Sequence, residues 1–506
     1  MKVIKRDGRA VEYNSEKINI AIEKANMEVC KEERATKNEI AKIINYIESM
    51  DKKRILVEDI QDIIEQKLME FGKYDLAKKY IVYRYTRALV RKQNTTDESI
   101  LGLIKNINNI SIDSKEKSVI ASVQRDFIAS EVSKDLTRRI LLPEKITKAD
   151  DEGVLHFHAM EYFLQPIINS SFVNIEDMLD NGTIINNKEI VPPQNFLTAC
   201  IVLAQIIASV ATSQYGEQYI NIRHLGKYLR KSCKTLEVEL KNLEDSGANK
   251  EAIDAIITSR LKSEISDGIQ AINLQINSLI NVPKNKYVVG FILDNNETDE
   301  YYKENKLIIE ELLKQKIENC EIIETSSNKK KYQCAGYFNY GIVSINLPQI
   351  ALSIVENEKE FWEKLNERSE LCYEALMCRH YALLGTVSDV SPIHWQSGAI
   401  ARLHPGERID KLLKDGYSSL SLGYVGLDEM AELLVVKLSL DDKAKDDFKN
   451  RTEKFLEDKV KSWKKLTGLE FIAEEVVGTE ANYKFYEIDK NKYGKVLNEC
   501  NGKISY

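Results

Sequence analysis

A chain of 506 residues, 43% apolar and 30% charged, has globular composition, with room for roughly two to four domains or one large core and an appendage. Lys and Arg total 72 against 79 Asp and Glu, a formal charge of −7, which makes direct, non-specific nucleic-acid binding a poor expectation. No run of about 18 apolar residues is present, and Met1-Lys2-Val3-Ile4-Lys5-Arg6 lacks the apolar stretch of a signal peptide. A cytoplasmic chain without membrane contact is therefore expected. The eight cysteines (30, 200, 233, 320, 334, 372, 378, 500) are scattered and form no C-x-x-C pair, so reduced structural thiols and no bound metal are expected.

Val3-Ile4-Lys5 and Ala10-Val11-Glu12 flank Asp7-Gly8, a strong hairpin signal. Asn14 or Ser15 can cap a following helix that carries Ile18, Ala21, Ile22 and Ala25 at helical spacing. A second helix carries Ile60, Ile63, Ile64 and Leu68, and a third runs over 75–91, closing a small domain before the polar stretch 92–97. From 98 to 193 the chain reads as largely helical, with Pro143 suited to a first helical turn. An apolar helix follows over 196–213, then a charged, Gly-poor helical excursion over 229–281. Beyond it, 287–293 and 341–347 read as buried strands, with helices at 301–318 and 358–384.

The first ninety residues resemble the ATP-cone, a nucleotide-sensing module at the front of many ribonucleotide reductases. The resemblance rests on Val3-Ile4-Lys5-Arg6-Asp7-Gly8-Arg9, Asn14-Ser15-Glu16-Lys17-Ile18, Val57-Glu58-Asp59-Ile60 and Ala77-Lys78-Lys79-Tyr80-Ile81-Val82-Tyr83-Arg84. It implies ATP or dATP as effector, held by Val3, Lys5, Arg6, Asn14, Lys17 and Arg87. Lys5, Arg6, Lys17 and Arg87 have the charge to converge on a triphosphate, and Asn14 offers an amide to a base or ribose edge. Without the resemblance, the same cations fit the solvated face of a helical bundle.

The rest of the chain resembles the large subunit of the anaerobic (class III) ribonucleoside-triphosphate reductase. Gln124-Arg125-Asp126-Phe127, Val154-Leu155-His156-Phe157-His158, Asn174-Ile175-Glu176-Asp177-Met178-Leu179 and Ser213-Gln214-Tyr215-Gly216 follow in the family's order. Gly336-Tyr337-Phe338-Asn339-Tyr340-Gly341-Ile342-Val343-Ser344-Ile345-Asn346-Leu347-Pro348 and Ser419-Leu420-Ser421-Leu422-Gly423-Tyr424-Val425-Gly426-Leu427 continue it. The resemblance implies an α/β fold: a small α+β ATP-cone over 1–93, then a glycyl-radical-type ten-stranded α/β barrel over 94–506, C-terminally truncated. It also implies nucleoside triphosphates as ligands, and a homodimer or association with a complete reductase.

Chemistry in that family needs two barrel cysteines and a radical-bearing glycine. Ser170, in Asn169-Ser170-Ser171, stands where the resemblance places the first cysteine, and a hydroxyl is a far weaker reductant than a thiol. No Met-Gly-Cys-Arg-Ser stretch precedes Gly336, although Cys334 lies nearby as a substitute thiol; a buried strand cysteine is its other reading. No Arg-x-Cys-Gly follows, and Cys500-Asn501-Gly502 lies where the family has an interior segment. No catalytic residue is therefore assigned. His156 and His158 would share one side of a strand, but two ligands make a weak metal site, and hydrogen-bonded core histidines are expected. Glu176 and Asp177 read as acids of a helix N-terminus. Three functions remain: a catalytically degenerate, regulatory or associated homologue that binds ATP or dATP; a working reductase, or its N-terminal piece completed in trans, supplying dNTPs for DNA synthesis; or a structural or interaction protein with a vestigial cone.

Overall fold

The computed structural model describes residues 2–4, 10–27, 29–30, 33–50, 54–82, 84, 121–245, 249–279, 289–293, 297–315, 317, 320–324, 335–354, 357–438, 442–477 and 480–499. Lys5, Arg6, the Asp7-Gly8 turn, Arg87, the 92–97 stretch, Cys334, Cys500 and Gly502 lie outside the described residues. The chain divides into two compact units, 1–107 and 108–506.

In the first unit, β1 (Lys2–Ile4) pairs antiparallel with β2 (Ala10–Glu12) in the register Val3↔Val11, as the hairpin signal requires. On its other edge β1 runs parallel to β3 (Arg54–Leu56), Val3 opposite Ile55. Helices α1 (Glu16–Asn26), α2 (Lys37–Ser49), α3 (Val57–Glu70) and α4 (74–82) supply Ile18, Ile22, Ile43, Ile47, Ile60, Ile64, Leu68 and Tyr80 to one core. Helix α2 starts at a capping box: Glu39 N–H donates to Thr36 Oγ1, and the Thr36 amide donates to Glu39 Oε2 at 2.7 Å.

The described part of the second unit opens with α5 (Ala121–Leu136) and α6 (Glu144–Asp151); Pro143 stands at the N-cap position of α6, one residue ahead of the expected first turn, with no side-chain capping bond. The segment expected to be helical up to Pro193 instead carries four strands: β4 (Leu155–Phe157), β5 (Ser170–Phe172), β6 (Thr183–Ile185) and β7 (Lys188–Ile190). Each has three residues, too few for a period-two pattern to register. Between them lies α7 (Ile175–Asp180), which carries Glu176 and Asp177 in its first turn, as expected.

Next come α8 (Phe196–Ala211), β8 (Gln218–Asn221), the paired long helices α9 (Gly226–Asp245) and α10 (Lys250–Leu279), β9 (Val289–Leu293), α11 (Tyr302–Gln315) and β10 (Cys320–Glu324). β11 (Phe338–Asn346) begins earlier than expected and stops where Asn346 Oδ1 caps α12 (Leu347–Ser353), with Pro348 in its first turn. Then follow α13 (Glu358–Leu383), β12 (Ser418–Val425), α14 (Leu427–Leu438), α15 (Asp442–Thr467), β13 (Phe471–Glu475) and α16 (Glu480–Glu499). No helix among the described residues is long and apolar enough to cross a membrane.

One mixed sheet orders the unit: β10-β9-β8-β5-β11-β12-β13, with β4 also on β11. β10, β9, β8 and β5 run parallel, as do β11, β12 and β13, and the two groups meet antiparallel at β5/β11. Of the ten strands implied by the resemblance, eight lie in this sheet among the described residues. Register separates its two faces. The helix-covered face sends Phe338, Val343, Ile345, Leu420 and Leu422 into one large core and Ile220, Val289 and Phe291 into another. The opposite, inner face carries, among the described residues, the small clusters Phe172, Tyr219, Ile292 and Ile323 and, at the end of β12, Val425 with Ala481 and Phe485, and between them Ser170, Asn339, Ser344, Ser419, Ser421 and Gly423.

Candidate functional site

Two places bring candidate residues together, one in each unit. In the first, a cavity of about 170 Å³ opens between α1 and α3. Its walls are Val3, Ile18, Ala21, Val57, Ile60 and Ile64, with Tyr13 and Tyr80, while Glu12, Asn14, Lys17 and Gln61 supply the polar atoms. Three sequence-predicted residues, Val3, Asn14 and Lys17, thus line one space. The walls are apolar because the same helix faces that build the core continue into it: Ile18 is 6% and Ile64 1% exposed.

Asn14 Oδ1 accepts from the Glu16 amide at 2.9 Å, starting α1; Ser15, the other candidate cap, makes no such bond. One lone pair of the Asn14 carbonyl is thereby used, and its NH₂ is the donor the side chain can offer a ligand. Lys17 and Asn14 are exposed at the lip. Tyr13 was not singled out from sequence. Its hydroxyl is buried with no hydrogen-bond partner among the described residues, and burial, aided by Glu48, raises its pKa. Only the fold brings that ring to the cavity, so no local signal marked it.

In the second unit, Ser170 lies half-buried on β5, opposite Asn339 of β11 on the inner face. Asn169 Nδ2 donates to Asn339 Oδ1 at 3.1 Å, and the Asn339 amide donates to Ser421 Oγ at 2.8 Å and Ser419 Oγ at 3.3 Å. Gly341 N–H donates to Asn339 Oδ1 at 3.0 Å, where the β11/β12 register shifts. One amide thus ties three strands together beside Ser170. Sequence placed Asn339 only within a family segment; its partners lie as far as 170 positions away.

Behind Ser170, Ser171 donates to Gln214 Oε1 at 2.7 Å, while the Gln214 amide donates to the Glu217 carbonyl at 2.7 Å. His394 Nε2 lies 3.1 Å from the same Oε1, and its Nδ1 2.8 Å from Ser391 Oγ. Because Gln214 Oε1 can only accept, Nε2 carries the proton and Ser391 donates to Nδ1. Burial lowers the His394 pKa to about 3, so the imidazole is neutral.

None of the six described cysteines lies on the inner face. Cys200 and Cys372 are inside the helix-side cores, Cys320 and Cys378 pack against them, Cys233 is on α9, and Cys30 is exposed in the first unit. Burial pushes the Cys372 and Cys320 thiols up to about 12. No group of three or more potential metal ligands occurs among the described residues. His156 and His158 take hydrogen-bonding roles: His158 Nε2 is 2.6 Å from Ser344 Oγ, and His156 Nδ1 is 3.5 Å from Asp150 Oδ1. Asp177 pairs with Arg402 at 2.6 Å, and Glu176 lies 3.4 Å from His224.

Comparison with known proteins agrees with this architecture. Residues 113–328 and 320–506 match the family described as anaerobic ribonucleoside-triphosphate reductase, and residues 1–89 match the ATP cone domain. The anaerobic ribonucleoside-triphosphate reductase of Haemophilus influenzae is 28% identical over 566 aligned positions, covering 98% of this chain and 79% of that protein. Its counterpart in Escherichia coli is 27% identical, covering 85% of this chain and 70% of that protein. Among solved structures, the anaerobic ribonucleotide reductase from Thermotoga maritima in complex with dATP and CTP aligns with a TM-score of 0.55 at 11% identity, over 80% of this chain and 79% of that one. The chain belongs to the anaerobic ribonucleoside-triphosphate reductase family and carries an N-terminal ATP cone domain.

Proposed function

We propose that the protein is a nucleotide-responsive member of this family that binds ATP or dATP in its first unit and does not itself reduce ribonucleotides. It acts as a regulatory or associated subunit of a complete reductase. The single observation that carries the loss of chemistry is Ser170: a hydroxyl stands on the inner face beside the Asn339 network, and no described cysteine shares that face. An O–H bond is a poor hydrogen donor to a radical, and serine cannot form the disulfide that balances a thiol-driven reduction.

Nucleotide binding is supported by the cavity beside Val3, Asn14 and Lys17. At about 170 Å³ it falls below the roughly 300 Å³ at which pockets enclose a drug-sized ligand. It suits a flat base, with sugar and phosphates outside at the Lys17 lip. Lys5, Arg6 and Arg87 complete the proposed phosphate contacts.

The test is anaerobic. Purified protein, with and without an activase and a complete reductase, is assayed for deoxyribonucleotide formation, and calorimetry with ATP and dATP is run in parallel. Nucleotide binding without product from this chain alone is the expected result. Substrate-dependent product that is lost in Cys334→Ser would instead establish the working-reductase reading, with Cys334 as its thiol.

A further inference from the structure

Helix α16 is attached to the inner face at its C-terminal strand ends through an unusual concentration of buried charge. Ala481 and Phe485 pack on Val425, the inner-face residue that ends β12. Four residues on, the buried Asp489 accepts from Asn346 Nδ2 at 2.8 Å and Gln349 Nε2 at 2.7 Å. Between these anchors Lys484 reaches Asp150 Oδ2 at 2.7 Å, and its Nζ lies 3.4 Å from His156 Nδ1.

His156 Nδ1 therefore has two competing neighbours. Lys484 can only donate, so its contact needs an unprotonated Nδ1; Asp150 Oδ1, at 3.5 Å, can only accept and needs Nδ1–H. A neutral imidazole with its proton on Nε2 satisfies Lys484. A protonated one turns to Asp150 and repels Lys484, leaving one carboxylate to serve one more cation.

We propose that α16 is a strap over the inner face whose seating is set by a single proton on His156. Asp150 is already heavily subscribed: Arg138 Nη1 lies 3.1 Å from its Oδ2, and the Phe157 amide donates to Oδ1 at 3.1 Å. The other charged groups around this cluster are Asp151, paired with Arg138, Lys134 from α5, Arg379 from α13 and the neighbouring His158. Positive charge is thus in excess, so an added proton is not absorbed by a spare carboxylate. His158 does not compete for it: burial and the adjacent cations hold its pKa well below the imidazole norm. Protonation of His156 loosens the strap more than it loosens the helix-side cores. This inference is independent of whether the chain binds nucleotide or turns over.

Hydrogen exchange on the full chain reads it directly. After correction for intrinsic rates, peptides spanning 480–493 should lose about tenfold more protection than α13 peptides between about pH 8 and about pH 5.5. In His156→Gln, whose amide oxygen can still accept from Lys484, protection of α16 should persist and the pH step disappear. In Lys484→Gln, α16 should exchange quickly at both pH values. A pH-independent wild type, an unchanged step in either variant, or a loss of α13 protection as large as that of α16 would each overturn the proposal.

Discussion

The side chain of Arg379, from α13, fills the space that a Cβ on Gly341 of β11 would need. Its guanidinium lies 4.3 Å over the Phe157 ring, and its Nη2 donates to the carbonyls of His158 and Ala159. A buried cation is thus accommodated by carbonyl dipoles and an aromatic face, and that arrangement depends on the missing side chain at Gly341. Gly341→Ala should destabilise the second unit by about 1–3 kcal/mol, the usual range for overpacking. Gly494→Ala, where nothing lies within 4 Å, should be neutral or slightly stabilising in its helix. Chemical denaturation of both variants checks the contrast; equal midpoints would count against the packing argument.

His394 predicts an acid limb of stability. Its folded pKa, about 3, lies below the ordinary value near 6.5, so the folded state binds fewer protons between those values. Stability is complete above about pH 6.5 and falls as pH drops toward 3, by about 1.4 kcal/mol per pH unit from this one group. Burial depresses His158 in the same direction, so the slopes add. His394→Gln should flatten the dependence of urea midpoint on pH between about 6 and 4, at some cost in stability at neutral pH. An undiminished slope would show that His394 is not the group excluded from protonation.

Asn339 offers a test of the inner face. Asn339→Ala removes the donor to Ser419 and Ser421 and the acceptor for Asn169 and Gly341. Leaving buried polar groups unmatched costs about 1–3 kcal/mol each where water cannot enter. A loss of at least about 2 kcal/mol in equilibrium unfolding is expected, with nucleotide affinity of the first unit unchanged.

The cavity beside Lys17 can be filled from within. Ala21 lines it from α1, and Ala21→Leu adds three carbons to an otherwise favourable helix position. ATP binding by calorimetry should fall more than tenfold while helicity by circular dichroism holds. Lys17→Ala should weaken triphosphate binding in a salt-dependent way and leave adenosine binding nearly unaffected. Equal loss for adenosine would place the lysine at the base.

Local chemistry in the sequence was sufficient for the hairpin around 3–12, for α1 and α3, and for the existence of β9 and β11, read at 287–293 and 341–347 although β11 starts at Phe338, because each has its period or turn residue within a few positions. The ordered flanking segments of the resemblance also singled out Ser170 as the position where a cysteine was expected. The three-residue strands β4 and β5 were illegible because they exist through pairing with distant partners, whereas β6 and β7 pair only with each other across Asn186-Asn187 and are too short to show a pattern of their own. Which side of β5 carries Ser170, and that Asn339, Ser419 and Ser421 share it, follows from strand register, which no local pattern encodes. The same holds for Lys484 and His156, 328 positions apart: an alternating His pair could be read from the chain, but only folding placed a donor and a carboxylate at the same ring nitrogen.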